Sequence, residues 1–308
     1  MQPTPAGKIP QDFCWRYGAA RYALGMTTAP EPGIYPEAPF PEYLSWPAAS
    51  SHDLMTVLRS PMHYHYSRTH PQEATPAMKF GSAAHAWILT PDQAPDEVFV
   101  MPEDLNRRTK AGKEEYQNLL ELHAGKMLIS AADSRRIAGM AGAVSRHTAA
   151  SEYLEAAPHR EHSCIWVHGA TGMLCRGRPD AYGTDIVVDL KTTADAQPEA
   201  FSRSVQSYRY HMQAYAYLYG LFRLQGITAD ARFIFIVVER EPPYDVAVYE
   251  LEAEDIVRGG ELYALALQRL KACQGADSWE GDTTQTHTIG LPKWARERHD
   301  RRYSTDTQ

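Results

Sequence analysis

The chain has 308 residues, 44% hydrophobic, 22% charged and 10% aromatic, with 20 Gly and 21 Pro, which excludes a disordered or fibrous protein and suffices for one large hydrophobic core. Acidic residues outnumber basic ones 38 to 31, a net charge of −7, so the chain is not one that coats nucleic acid by bulk attraction, although a local basic channel is compatible with it. The longest strand-like apolar run, Phe233 to Val238, is far shorter than the ~20 residues that cross a bilayer.

The opening MQPTPAGKIPQDF has neither a basic stretch followed by an apolar one nor an Arg- and Ser-rich amphipathic segment, so no export signal is read and a cytoplasmic location is expected. Residues 1–48 are punctuated by Pro, which disfavours helix interiors and central strands, and an irregular surface arm is expected there. Ser50 to Asp53 forms a capping box that opens a short helix through Leu54, Val57 and Leu58, closing at Ser60-Pro61. The run MKFGSAAHAWILT from Met78 predicts a second helix, holding Gly81 and His85 and stopping at Thr90-Pro91. Residues 114–156 carry helical periodicity in two pieces joined near 125–130, as in a helical hairpin or pair. After Pro158 the period changes to two: His162–His168, Met173–Tyr182 after a Thr171-Gly172 turn, and Asp185–Leu190 predict an antiparallel meander.

Residues 198–220 return to helix, with Phe201, Val205, Tyr208, Met212, Tyr215 and Tyr219 on one apolar stripe. Strands over Phe233–Glu239 and Asp245–Glu250, a helix from about Glu254 to Cys273, and a mostly irregular tail complete the chain, with RERHDRR read as a flexible solvated end. With no internal repeat or linker, residues 49–275 read as a single domain with a helical insertion at about 103–157, followed by a tail over 276–308. The fold class is α/β (α+β): a central mixed sheet flanked by helices. Cys14, Cys164, Cys175 and Cys273 are scattered without a C-x-x-C pair and read as free thiols, mostly buried, rather than zinc or iron–sulfur ligands.

The chemistry concentrates in RGRPDAYGTDIVVDLKTT, residues 176–193. Asp180 ends one predicted strand, and Asp189 and Lys191 lie on the next. Side chains two apart on a strand share a face, so Asp189 and Lys191 project together while Leu190 points into the core and its carbonyl is left available. Adjacent acids are costly unless a cation is present, and a hard divalent metal such as Mg²⁺ suits oxygen ligands. Taken alone, the same residues also describe a surface hairpin with an exposed ion pair worth about 0–1 kcal/mol.

Pro179-Asp180 followed by Asp189-Leu190-Lys191 resembles the PD-(D/E)xK nuclease signature. Upstream Gly81-x-x-x-His85 and downstream Gln213-x-x-x-Tyr217 occur in the order of the RecB-type branch. Ser60-Pro61-x-His63-Tyr64, Phe80-Gly81-x-Ala83-x-His85, Arg107-Arg108-Thr109-Lys110-x-Gly112-Lys113 and Leu291-Pro292-x-Trp294 make residues 40–295 similar to RecE-type exonucleases, exodeoxyribonuclease VIII.

The resemblance implies a restriction-endonuclease-like core in which His85, Asp180, Asp189 and the Leu190 carbonyl hold Mg²⁺, with Mn²⁺ as a possible substitute and Glu161 as a possible further ligand. Lys191 would orient or deprotonate the attacking water and offset charge on the transition state. Gln213 and Tyr217, with Arg209 one turn earlier, would form a polar helical stripe able to hold a phosphate or the water. Arg107, Arg108, Lys110 and Lys113 form the densest basic patch before the tail, and with Arg176, Arg178 and Arg209 they are candidates for DNA contact. His63 and His65 read as packing residues.

The implied activity is digestion of linear double-stranded DNA from its ends, 5′ to 3′, leaving a 3′ single strand for a RecT-like annealing protein. A ring-shaped homo-oligomer, with a tetramer favoured, would encircle DNA with basic side chains inward. Two alternatives share the fold: a RecB-like structure-specific nuclease, and a catalytically idle DNA-binding scaffold.

Overall fold

The computed structural model describes residues 29–70, 74–281 and 286–303. In chain order the elements are β1 (Gly33–Tyr35), α1 (Phe40–Ser45), α2 (Ser51–Arg59), α3 (Pro61–Thr69), α4 (Pro76–Leu89), α5 (Ala94–Glu97), β2 (Val98–Val100), α6 (Lys110–Leu122), β3 (Met127–Ile129), α7 (Ala131–Arg146) and α8 (Thr148–Ala156). They continue with β4 (His159–Arg160), β5 (Ser163–Val167), β6 (Leu174–Gly177), β7 (Ala181–Tyr182), β8 (Ile186–Thr193), α9 (Pro198–Ser207), α10 (Tyr210–Arg223), β9 (Arg232–Glu239), β10 (Val246–Glu250), α11 (Ala253–Ala276) and α12 (Lys293–Tyr303).

The central sheet has the order β10-β9-β8-β7-β4, with β8 and β9 parallel and every other neighbour antiparallel. Val187, Phe233, Phe235 and Val237 face one cluster with α2, α9, α10 and α11, whereas Ile186, Val188, Leu190, Ile234 and Ile236 face a second with α4, α7 and α8. The sheet is buried on both faces, so β8 and β9 are apolar at successive positions instead of alternating with a period of two. This is the expected α/β class with a mixed central sheet.

Several local expectations give way to tertiary packing. The expected meander divides: β5 and β6 form an antiparallel pair with β1 in a separate three-stranded sheet, while β7 and β8 enter the central one. Within the segment expected as an irregular arm, residues 29–48 form β1 and α1, and Tyr43, Leu44, Trp46 and Ala48 pack with Ile165 in a buried cluster. The remainder of that arm, with Cys14, lies outside the described residues. The segment around 103–157, expected as a helical insertion, supplies a layer of the core: Ile137, Met140, Val144 and Ala150 are buried against the sheet. The joint between its helical pieces is β3, which pairs in parallel with β2.

The single helix expected over 198–220 is two, because Arg209 takes a left-handed conformation (φ 53°) between α9 and α10. The C-terminal RERHDRR is helical, within α12, rather than an irregular tail.

Gly259 and Gly260 of α11 lie against α10. A Cβ on Gly259 would stand 2.2 Å from the His211 carbonyl oxygen, so only the bare backbone lets the two helices come this close. This packing sets the height of α10 over the sheet, and α10 carries the polar pair that meets the site.

Candidate active site

β7 pairs with β8 only at Val187 and Val188, whereas β9 accompanies β8 along its whole length. Past Val188, one edge of β8 is therefore open. Asp180, immediately before β7, places Oδ2 in that opening, where it accepts the Leu190 N–H at 2.7 Å. A strand residue presents its N–H and C=O to the same edge, so the Leu190 carbonyl faces the same opening.

His85, on α4, brings Nδ1 to 3.4 Å from Asp180 Oδ2. Glu161 follows β4 in a left-handed conformation (φ 52°), and its N–H donates to the Asp180 carbonyl at 3.0 Å. A non-glycine residue held in that region is costly and persists only where its surroundings fix it. Here Arg178 fixes it, with Nε donating to Glu161 Oε2 at 2.9 Å. His85, Glu161 and Asp180 each offer a ligand atom, all within 4.8 Å of one another. One imidazole nitrogen and two carboxylate oxygens so spaced fit a single divalent cation.

Asp189 is buried beside this group, on the α10 side of the sheet, and Lys191 Nζ lies 2.6 Å from its Oδ2. Lys191 also donates to Gln213 Oε1 at 3.1 Å, and Gln213 Nε2 donates to the Tyr217 hydroxyl at 3.1 Å. The ammonium sits 4.4 Å from the centroid of the Tyr210 ring. Tyr210 carried no signal in the sequence, because the helix break that turns it toward Lys191 was not legible there.

The electrostatics follow from burial. Burial pushes the Asp189 carboxyl up to about 6, with Lys191 opposing the shift and Asp180 adding to it. For Lys191, burial alone would lower the pKa, but Asp189, Tyr210 and Asp180 together raise it well above the ordinary value. Asp180 experiences the same burial, yet His85, Lys191 and the Leu190 N–H hold it below the usual carboxylate range. His85 is raised because Asp180 and Glu161 outweigh its own burial. Burial drives Tyr217 well above a free phenol.

The structure thus brings together His85, Glu161, Asp180, Asp189, Leu190, Lys191, Gln213 and Tyr217. It does not bring the expected DNA-contacting arginines to the surface there. Arg176 is fully buried: Nε donates to the Ala48 carbonyl at 3.1 Å, another nitrogen to the Tyr43 carbonyl, and Nη2 stands 3.8 Å from Asp53. Arg178 is committed to Glu161, to Ser163 Oγ and to the Ala38 carbonyl. Arg209 precedes α10 rather than continuing its stripe, and donates to the Met55 carbonyl at 3.1 Å. These three are structural because their guanidinium groups satisfy buried or half-buried carbonyls and acids.

Arg107, Arg108, Lys110 and Lys113 are exposed around the start of α6, with Arg107 over the Tyr116 ring at 4.0 Å. None of the four is hydrogen-bonded to the site among the described residues. His63 and His65 are exposed instead of packed beneath a helix, and His65 stacks on Trp279 at 4.9 Å. Gly81 is not sterically required, since a Cβ there would make only an ordinary 3.9 Å contact with Thr192.

Comparison with known proteins agrees with this geometry. A family model described as a PDDEXK-like domain of unknown function matches residues 50–288. A crystal structure from Eubacterium rectale, provisionally assigned as an exonuclease, is 10% identical, with a TM-score of 0.55 covering 82% of this chain and 92% of that one; it shows a shared fold. A second structure, SSO0001, is 17% identical over 55% of this chain and 76% of its own, and its TM-score of 0.25 carries no weight. No curated protein matches the chain significantly.

Proposed function

The chain belongs to the family of PDDEXK-like domains, and from that premise we propose that it is a Mg²⁺-dependent DNA exonuclease acting on the ends of linear double-stranded DNA. One observation carries the reading: three groups able to ligate a metal, His85, Glu161 and Asp180, stand beside a buried Asp189–Lys191 pair at the open edge of β8. PDDEXK nucleases use divalent metals, and here His85, Glu161 and Asp180 would hold the ion, with the Leu190 carbonyl and Asp189 flanking it. The oxygen-rich set suits Mg²⁺, and the imidazole admits Mn²⁺ as a substitute. When bound, the ion supplies Lewis acidity toward a phosphate oxygen and makes water more acidic.

The side chains define the remaining roles. Lys191, held protonated by Asp189, serves as a fixed positive charge for the phosphate oxygens and a donor to the attacking water, not as the base. Gln213 and Tyr217 hold that ammonium in place from α10. Release of the 3′-oxygen completes an in-line displacement. The 5′-to-3′ direction, the 3′ single-stranded product passed to a RecT-like annealing protein, and a ring-shaped homo-oligomer, a tetramer, follow the resemblance to exodeoxyribonuclease VIII. A ring would reconcile the net charge of −7 with DNA affinity by turning basic side chains inward.

The test is digestion of linear and covalently closed circular duplexes, end-labelled at 5′ or 3′, by wild type and Lys191→Ala in Mg²⁺ or EDTA. Metal-dependent release from 5′ ends of linear DNA is expected, with the rate falling about 10²–10³-fold in the variant, as when one transition-state donor is removed. Cutting of the circle would identify a structure-specific nuclease, and binding without cleavage by folded wild type would leave only a scaffold.

A further inference from the structure

A polar cleft of about 380 Å³ opens where β8 ends, lined by Thr193, Asp195, Arg203, Ser204, Ser207 and Tyr208 among others. Thr193 is two residues beyond Lys191 on the same strand and therefore on the same face, so the cleft begins about 7 Å along the strand from the lysine. The opposite wall is the last two turns of α9. Arg203 is exposed, and neither it nor the Ser207 and Tyr208 hydroxyls has a hydrogen-bond partner among the described residues. The one acid on the lining, Asp195, is occupied locally, with Oδ1 accepting the Gln197 N–H at 2.9 Å.

The aromatic wall is unusual in its exposure. Tyr208 is 61% exposed, although it falls on the apolar stripe that sequence periodicity assigns to the core. The left-handed Arg209 that follows it breaks the helix and leaves the ring outside. Tyr208 stacks on Tyr210 with centroids 5.5 Å apart, and the Tyr210 ring in turn faces Lys191 Nζ. An exposed aromatic face, a free guanidinium and unpartnered hydroxyls are the groups that recognise a nucleotide: the ring stacks a base, and the cation and hydroxyls take the phosphate.

We propose that this cleft is a nucleotide subsite, in which Arg203 binds a non-scissile phosphate of the strand being cut and Tyr208 stacks the adjoining base. The inference rests on the nuclease reading and deepens it. It supplies a positive contact for the strand that buried Arg176, committed Arg178 and Arg209 do not. Because one base and one phosphate are engaged without base-edge contacts, the subsite is indifferent to sequence.

The test compares wild type with Arg203→Gln, Arg203→Lys, Tyr208→Ala and Tyr208→Phe in steady-state digestion of linear DNA in Mg²⁺ across a salt series. Both positions lie at the surface, and circular dichroism verifies folding of the four variants. Arg203→Gln is expected to raise KM about 10-fold with kcat within a factor of two, and to make the dependence of log(kcat/KM) on log[salt] shallower by about 0.7–0.9, the share of one phosphate. Tyr208→Ala is expected to raise KM similarly without changing that slope, while Arg203→Lys and Tyr208→Phe largely restore wild-type behaviour. Unchanged KM and salt slope in Arg203→Gln and Tyr208→Ala, against an active wild type, would overturn the subsite and leave the nuclease standing. A folded wild type that cleaves no DNA would overturn both.

Discussion

At Asp189 and Lys191, one residue pair shows how burial creates reactivity and liability together. Asp189 titrates near 6 because it is buried, above the ordinary carboxyl, and His85 is raised as well. The native state without metal therefore holds these protons more tightly than the unfolded chain does. Their contribution to stability is present at low pH and lost as pH rises through about 4 to 6 for Asp189, and then through the His85 transition. A divalent cation held by His85 needs that imidazole deprotonated, and an ionised Asp189 flanking the ion adds to its attraction. Mg²⁺ is thus expected to raise the melting temperature more at about pH 8 than at about pH 5, with stabilisation of about 2.7 kcal/mol once Mg²⁺ reaches 100 times its Kd. Calorimetry with and without EDTA at the two pH values checks this; equal shifts at both would place the ion elsewhere.

Arg176 gives the opposite lesson. In RGRPD it reads as a basic residue next to a nuclease motif, but the fold uses it to hold the Ser50–Asp53 capping box and the Tyr43 and Ala48 carbonyls against β6. Arg176→Ala is expected to cost about 3–5 kcal/mol in chemical denaturation, because Asp53 remains buried without its counter-charge. The salt dependence of DNA cleavage by the folded fraction should not change.

At the scale of elements, the legible features were those whose cause is local. The Ser50 capping box, the short apolar runs of β8 and β9 and the small-residue helix carrying His85 are written in neighbouring residues, and the structure shows each of them. The D-x-K spacing likewise placed Asp189 and Lys191 on one face. The illegible features depend on partners distant in sequence. Nothing near Arg209 announces a left-handed residue inside an otherwise continuous amphipathic pattern, and nothing in GIY or MLI distinguishes β1 or β3 from a loop until β5 and β2 are beside them. The Glu161–Arg178 contact spans two strands, and neither residue type predicts the other.

The α10–α11 contact is also tertiary, and it offers a direct check. In Gly259→Ala the new methyl would meet the His211 and Met212 backbone, which cannot turn aside as a flexible side chain can. A loss of about 1–3 kcal/mol in thermal or urea unfolding is expected. Because α10 carries Gln213 and Tyr217, kcat should fall along with stability, even though Gly259 contacts no residue of the site.

For the whole molecule, the two faces of the central sheet have different tasks. The α4, α7 and α8 side brings His85, while the α9, α10 and α11 side brings the groups around Lys191, and the two meet where β7 stops and β8 continues. No described helix is long and apolar enough to cross a membrane. The three-stranded sheet matters as much to this arrangement as the central one, since β5 carries Ser163 and β6 leads into Arg178, which bonds to both Ser163 and Glu161.

The hydrogen bonds from Arg176 to Tyr43 and Ala48 and from Arg178 to Ala38 set a lower limit on where the chain can be cut. The family match begins at residue 50, yet the folding unit reaches back at least to the strand at Gly33. A shortened protein starting at residue 49 would keep every residue of the nuclease signature but would lose three carbonyl acceptors and the Tyr43, Leu44 and Trp46 packing. It is expected to melt well below the full chain in a thermal scan and to lose cleavage together with its fold. Such a fragment would look like a defective enzyme although every residue of its signature was present, so domain limits drawn from sequence similarity alone would misassign the cause.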